Sequence, residues 1–430
     1  MIRSHLEFSF GQNSPDRVTP RLRADFCIVG RADGRQRVDY RVIANLFLLL
    51  FLGVADNQMI AALLPVLGGS LHETVEVVGL LVVVYSVMAA LASFISGALS
   101  DHYGRRKFLL AGVVVFALAS WISSQTQTYA ELMLARALTG LAAGTISTCS
   151  IAFAGDWFNY RVRGKAIGLV SSAYFAAPII GVPLAGQIAD HFGWRRVFLF
   201  FAAFGLVVAC LSLLLPKENG MAHPATRKLT TTLHVFRSFL KRRDILAALG
   251  VAFFVSAGLV GFITYIGQWL SDHFKIPTGG ITLVFMVGGI ASLAGAPLGG
   301  ILADRWGKRV VSIGSNILLG LAVALVPFLH WGAGLFLVFG ATGLGAAFRQ
   351  GPLTALMTEM VPTAQRGFFI ALRNIASQLG IGAIALVGGI LYQRSGYVAV
   401  TSVCAAMTLL VAVLLTTHIV EPQPVNETAP

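Results

Sequence analysis

The chain is 430 residues long, 56% hydrophobic and only 12% charged, with a mean hydropathy of +0.77, where a soluble domain carries roughly 25% charged residues. Most of it must face something other than water, which excludes an ordinary soluble domain. A net charge of +13 would suggest nucleic acid in a soluble chain, but the placement of the charge, given below, excludes that partner.

Residues 1–41 are polar and Arg-rich and are expected to form a disordered cytoplasmic tail. No cleaved leader is expected, because the first apolar run starts only near Val42 and is too long for a leader. Apolar segments then cover 42–67, 77–99, 108–124, 129–154, 165–189 and 195–216. A polar stretch, 217–244, precedes 245–270, 280–302, 310–328, 332–357, 367–391 and 396–420, and a polar tail, 421–430, follows. A membrane helix needs about 20 apolar residues. The expectation is an all-α membrane protein with twelve transmembrane helices in two bundles of six, 42–216 and 245–420, joined by the central loop. Cys27, Cys149, Cys210 and Cys404 lack metal-ligand spacing, so neither a metal nor a cofactor is expected.

The basic residues orient the chain. With the N-terminus inside, twenty-five of the 32 Lys and Arg fall on cytoplasmic segments and four (Arg195, Arg196, Lys275, Arg394) on the other side. That asymmetry predicts both termini in the cytoplasm. The surplus is a topology signal and an attraction to anionic lipid.

The chain also repeats itself at an offset of 203 residues. Gly97, Asp101, Gly104 and Arg106 return as Gly300, Asp304, Gly307 and Arg309. Gly140 returns as Gly343, Asp156 and Arg163 as Glu359 and Arg366, and Gly193 as Gly396. Parallel repeats of this kind place a cavity between two halves, which rock about it. Gly97 is expected to let helix 2 approach a neighbour and Gly104 to supply a tight turn. Asp101, near Arg105 and Arg106, is expected to form an ion-pair latch with Asp156 and Arg163. Lys308 and the returning charges would do the same in the second half.

The segments GALSDHYGRRKFL (Gly97 to Leu109) and GGILADRWGKRV (Gly299 to Val310) resemble the doubled loop motif of the major facilitator superfamily, over 42–420. LMLARALTGLAAG (Leu132 to Gly144) and AAPIIGVPLAG (Ala176 to Gly186) are similar to the helix 4 and helix 5 stretches of its drug–proton antiporter branch. The resemblance implies a monomeric secondary transporter in a bacterial inner membrane. It further implies that Pro178, Gly181 and Pro183 bend and pack helix 5.

Ionisable groups inside membrane helices are functional candidates by default. Asp56 lies roughly 21 Å from the inner end of helix 1, and Arg136 ~10 Å below the outer end of helix 4. These depths coincide in a core of about 30 Å, so the two are expected to face each other or share the cavity. Burial favours the neutral acid and a neighbouring arginine the carboxylate, so Asp56 is the candidate for proton coupling, with Asn57 and Gln58 beside it. Arg349 and Gln350 lie deep in helix 10 and are expected in the cavity, where arginine favours an anion. Arg373 is expected instead to reach the headgroups or pair with Glu359. Tyr85, Tyr174, Tyr265, Gln268 and Gln378 are the remaining cavity candidates, aromatic walls with few polar groups suiting amphipathic molecules.

The expectation is a proton-coupled secondary transporter that exports drugs or metabolites by alternating access, taking a small molecule and protons. Import of a small organic anion through Arg349 is the alternative. A non-transporting sensor would carry large soluble extensions. No G-x-x-x-x-G-K-[ST] loop or membrane His cluster is found, so an enzyme is not expected.

Overall fold

The computed structural model describes residues 39–216, 239, 241–361 and 366–419. Most of the N-terminal tail, Cys27, most of the central loop, the C-terminal tail and the Arg366 side chain lie outside the described residues. Six helices form the first half. They are α1 (Tyr40–Leu71), α2 (Val75–Tyr103), α3 (Arg105–Gln125), α4 (Tyr129–Trp157), α5 and α6 (Trp194–Ser212). Helix α5 is interrupted, running through Tyr160–Ser171, Ala173–Ala176, a π-helical turn Ala177–Gly181 and Val182–Phe192. The second half holds α7 (Arg243–Phe274), α8 (Thr278–Trp306), α9 (Lys308–Leu325) and α10 (Ala333–Glu359). The helical run Arg366–Thr417 completes it, parted at Gly396 into α11 (366–395) and α12 (397–417).

Ten stretches among the described residues are long and apolar enough to cross a membrane, and the last of them, Phe368–Thr417, contains both α11 and α12. Helix α10 is the one below that mark, and its sequence carries Arg349, Gln350 and several glycines. Large apolar side chains point outward, Leu134 71% exposed and Leu337 74%, as helices that meet lipid on one face and protein on the other require. Local signals start and stop the helices. Thr74 caps α2, and Thr128 with Glu131 forms a capping box on α4.

The repeat is present in the backbone itself. His72 and Lys275 end α1 and α7 with the same positive φ of 56°. Gly193 and Gly396 adopt φ of 84° and 74° between the last two helices of each half. Gly104 and Gly307 both sit at φ 91° between α2 and α3 and between α8 and α9. With ψ of 133° and 145°, that conformation is closed to residues with a Cβ, and it lets one helix begin where the last ends.

Close helix crossings are made by other glycines than those expected. A Cβ on Gly97 would meet only Thr148 at 3.7 Å, and one on Gly300 nothing within 4 Å. The tight seams lie where a Cβ on Gly140 would come 2.9 Å from the Tyr85 Cα, or one on Gly343 3.0 Å from the Gly288 Cα. These two seams, α4 on α2 and α10 on α8, are again related by the repeat.

Candidate functional site

A central cavity of about 330 Å³ lies between the two halves. Its walls come from α1, α2, α4 and α5 on one side and α7, α8, α10 and α11 on the other. Most of the lining is apolar, including Leu50, Val82, Phe175, Leu259, Phe285 and Phe339. The polar lining includes Asn57, Gln58, Tyr85, Tyr174, Gln350, Asn374, Ser377 and Gln378, with several Ser and Thr hydroxyls. Among the described lining residues, Arg349 and Arg373 are the only charged ones, and no carboxylate faces the cavity.

The two arginines are held differently. Arg349 is 1% exposed; its Nη1 donates to Asn316 Oδ1 at 2.6 Å and its Nη2 to the Val255 carbonyl at 3.1 Å. No hydrogen bond or ion pair fixes the Arg373 guanidinium among the described residues, and Tyr174 lies close enough to act on it electrostatically. The expectation for Arg373 is therefore corrected. It lines the cavity, and its expected partner Glu359 is taken by Lys308 at 2.5 Å. Two α11 turns explain this: Arg373 shares its face with Ser377 and Ile381, which also line the cavity.

Asp56 and Arg136 do meet, Nη1 to Oδ2 at 2.5 Å, and both are 0% exposed. The pair does not share the cavity, however. Gly53 and Asn57 of α1 face the cavity while Asp56, on the adjoining face, turns toward α4. Tyr85 stands over the pair, with the Arg136 Cζ 4.5 Å from its ring centroid, and its hydroxyl donates to the Gly53 carbonyl at 3.0 Å. Asp56 Oδ1, Arg136 Nε and Arg136 Nη2 are buried and find no hydrogen-bond partner among the described residues.

Two other candidates are not in the cavity. Tyr265 packs against Gly388 and Gly389, its hydroxyl donating to the Ala385 carbonyl, so it fastens α7 to α11. Gln268 lies one turn further along α7, donates to Asp272 at 2.9 Å, and borders a separate recess with His72 and Glu73. Tyr265 directly follows the cavity-lining Ile263 and Thr264 but turns to another face of the helix, whereas Gln268 shares the face of Thr264 one turn beyond the cavity, distinctions that residue type alone does not carry.

The charged loops form two equivalent latches. Arg105 Nε donates to Asp156 at 2.5 Å and its Nη2 lies 2.7 Å from Asp101. Lys308, its equivalent in the repeat, pairs with Glu359. Arg106 and Arg309 bind carbonyls at the ends of α6 and α12, Leu213 and Thr416, both at 2.6 Å. Arg163 is not part of this latch: its Nε turns back to the Phe158 carbonyl at 3.3 Å. Asp304 is exposed at the end of α8.

In α5 the π-turn carries Pro178 to the cavity wall against Gly289 of α8, and a Cβ on Gly181 would press on the Ala55 Cβ at 2.6 Å. Pro183 opens the following helical segment, partly buried. At the end remote from the charged loops, Asp190 Oδ2 accepts the Gly279 N–H at 2.5 Å, so α5 caps α8 across the two halves. On the other side of the cavity Asn374 donates to Ser93 Oγ at 3.1 Å, joining α11 to α2. Asn316, Asn374 and Asp190 were not singled out by sequence. Asn316 and Asn374 carry the same signal as the arginines, a polar side chain within an apolar helix.

Known proteins similar to this chain point to one family. The family description Major Facilitator Superfamily matches residues 46–278 and 248–430. An uncharacterised MFS-type transporter of Bacillus subtilis, YwfA, is 30% identical over 371 residues, 85% of this chain and 89% of that protein. A protein of Cupriavidus pinatubonensis named as a probable 4-methylmuconolactone transporter is 27% identical, over 77% and 79% of the two chains. The crystal structure of a D-xylose-proton symporter superposes with a TM-score of 0.74 at 16% identity, covering 89% of this chain and 98% of that one, which speaks to the fold alone. The family match over nearly the whole chain and the 30% identical relative, on a fold whose described residues form two matched helical halves, make this chain a member of the major facilitator superfamily, a multi-pass transporter of small solutes rather than an enzyme.

Proposed function

We propose that this transporter carries small organic anions with an apolar body, coupled to protons. The observation behind this reading is the charge of the cavity, where Arg349 and Arg373 face apolar walls with no described carboxylate among them. An unpaired guanidinium in a low-dielectric pocket favours a carboxylate, which it can hold by two parallel hydrogen bonds. The apolar lining accommodates the rest of the molecule. Asp56 is the proton site. Protonating it leaves Arg136 uncompensated and makes the neighbouring cavity more positive, so proton and anion favour each other's binding. That linkage is symport.

A second reading, proton-driven export of amphipathic compounds, draws on α5, whose Pro178 π-turn forms part of the cavity wall. There a cationic or polar substrate would compete with the proton, giving antiport. Reconstituted vesicles with a pH gradient imposed in either direction separate the two. Symport predicts that carboxylates accumulate in the compartment toward which protons flow and that Arg373→Gln weakens this by raising the apparent KM. Accumulation of cations against the proton flow, unchanged by Arg373→Gln, would overturn the anion reading.

In this proposal the units 42–216 and 245–420 rock about the cavity as one monomer, with 217–244 as their link. Both termini lie in the cytoplasm and the membrane is a bacterial inner membrane. The basic bias of the loops on one side supports that orientation.

A further inference from the structure

The internal repeat supplies a comparison within one molecule. Asp56, Tyr85 and Arg136 correspond at the offset of 203 to Leu259, Gly288 and Phe339. Leu259, Gly288 and Phe339 all line the cavity. Their counterparts Asp56 and Arg136 do not, and of the first-half triad only Tyr85 is on the wall. Where the inner positions are apolar the α2-equivalent site is a bare glycine and they are open. Where they are charged the site carries an aromatic ring and they are covered.

The cover is anchored at both ends. The Gly140 seam fixes the Tyr85 backbone against α4, and the hydroxyl is tied to the Gly53 carbonyl. Behind it, one carboxylate oxygen and two guanidinium nitrogens lack partners among the described residues. Leaving such groups dry is costly, so water enters if a route opens. Among the described residues, Arg136 is the only charged group acting on Asp56 from the helices packed around it; Tyr85 is the titratable neighbour from α2, with Tyr174 of α5 acting on Tyr85 in turn.

We propose that Tyr85 is a shutter between the cavity and the Asp56–Arg136 pair, and that protons reach Asp56 only when its ring moves. This deepens, and rests on, the reading of Asp56 as the proton site. Tyr85 is a positioning residue here: it transfers no proton itself but sets when Asp56 can exchange one.

The test uses the full-length protein in liposomes containing a pH-sensitive dye, with a pH gradient and no substrate. Wild type holds the gradient. Tyr85→Ala is expected to dissipate it, and the double variant with Asp56→Asn to hold it again. Tyr85→Phe keeps the ring and loses only its tether, a hydrogen bond whose loss opens the shutter about fivefold more often, so its leak falls between the two. If the alanine variant does not fold, as judged by size-exclusion chromatography, Tyr85→Leu with and without Asp56→Asn gives the same comparison. A proton-tight, transport-active Tyr85→Ala protein, or a leak undiminished by Asp56→Asn, would overturn the shutter. Proton-driven accumulation that survives Asp56→Asn alone would instead overturn the reading of Asp56 as the proton site.

Discussion

At the scale of single residues, the Asp56–Arg136 pair shows how burial sets what a substitution costs. Both partners are 0% exposed and joined by one short contact. Removing one of them leaves the other charge dry and unpaired, at about 3–5 kcal/mol. Arg136→Met is therefore expected to lower the unfolding midpoint of the detergent-solubilised protein strongly. Arg136→Met with Asp56→Leu should recover most of that stability and none of the coupling; Leu259 and Phe339 already show an apolar solution at the equivalent positions. A double variant as unstable as the single one would mean that the pair is not the cause. The arginines of the second half predict a contrast of another kind. Arg349 is bound to Asn316 and Val255, so Arg349→Gln should reduce stability as well as flux. Arg373 has no such bonds among the described residues, so Arg373→Gln should raise the apparent KM for a carboxylate while leaving the unfolding midpoint in place. The depth of Asp56 and Arg136 could be read from sequence because the rise of a helix is fixed. What separates them from the cavity could not, since it depends on a ring supplied by α2, whose rotation about its axis no spacing rule gives. The same lack of rotational information misplaced Tyr265 and Arg373, while Gln268 lies one turn beyond the end of the cavity on the face of Thr264.

At the scale of helices, the sequence marks ends better than faces. Gly104, Gly193, Gly307 and Gly396 stand at helix junctions because their backbone conformations need glycine, and a residue required by its own φ and ψ is legible from local sequence. Glycines that serve a neighbour are not. Gly97 and Gly140 look alike in sequence, yet a Cβ on the first is accommodated and on the second would enter the Tyr85 backbone. Gly140→Ala is therefore expected to cost about 1–3 kcal/mol through overpacking, and to loosen the Tyr85 cover as the α2–α4 seam opens. Gly343→Ala meets the same obstruction at Gly288 and should cost a similar amount without any proton leak, because among the described residues no ion pair lies behind that seam. Thermal unfolding with a dye-based leak assay on the two variants checks both statements, and a leak of equal size in both would contradict them.

At the scale of the whole molecule, the contacts that close the cavity differ in kind on its two sides. On the side of the charged loops, Asn374 reaches Ser93 through a bond between neutral groups. At the remote end, a carboxylate of one half caps a helix of the other through Asp190 and Gly279. The Arg105–Asp156 and Lys308–Glu359 latches lie within their own halves and are partly exposed, so they stiffen each bundle without joining the two. Alternating access requires that the closures break in turn, and the charge-assisted one is the stronger, typically about 1.5–3 kcal/mol. Asp190→Ala should therefore shift the population toward opening at the remote end by roughly tenfold or more, whereas Asn374→Ala should favour opening on the opposite side. Spin labels at His191 and Ile276, one on each half near the Asp190 contact, report the first shift as a longer distance distribution in liposomes. An unchanged distribution in Asp190→Ala would mean that the apolar seams of α1 with α7 and α2 with α11 hold that end closed without it. The shift should also be felt at the substrate, since a carrier biased toward one face turns over more slowly even when its cavity is untouched. Asp190→Ala is accordingly expected to lower kcat for transport while leaving equilibrium binding of a carboxylate, measured at the cavity arginines, close to that of the wild type.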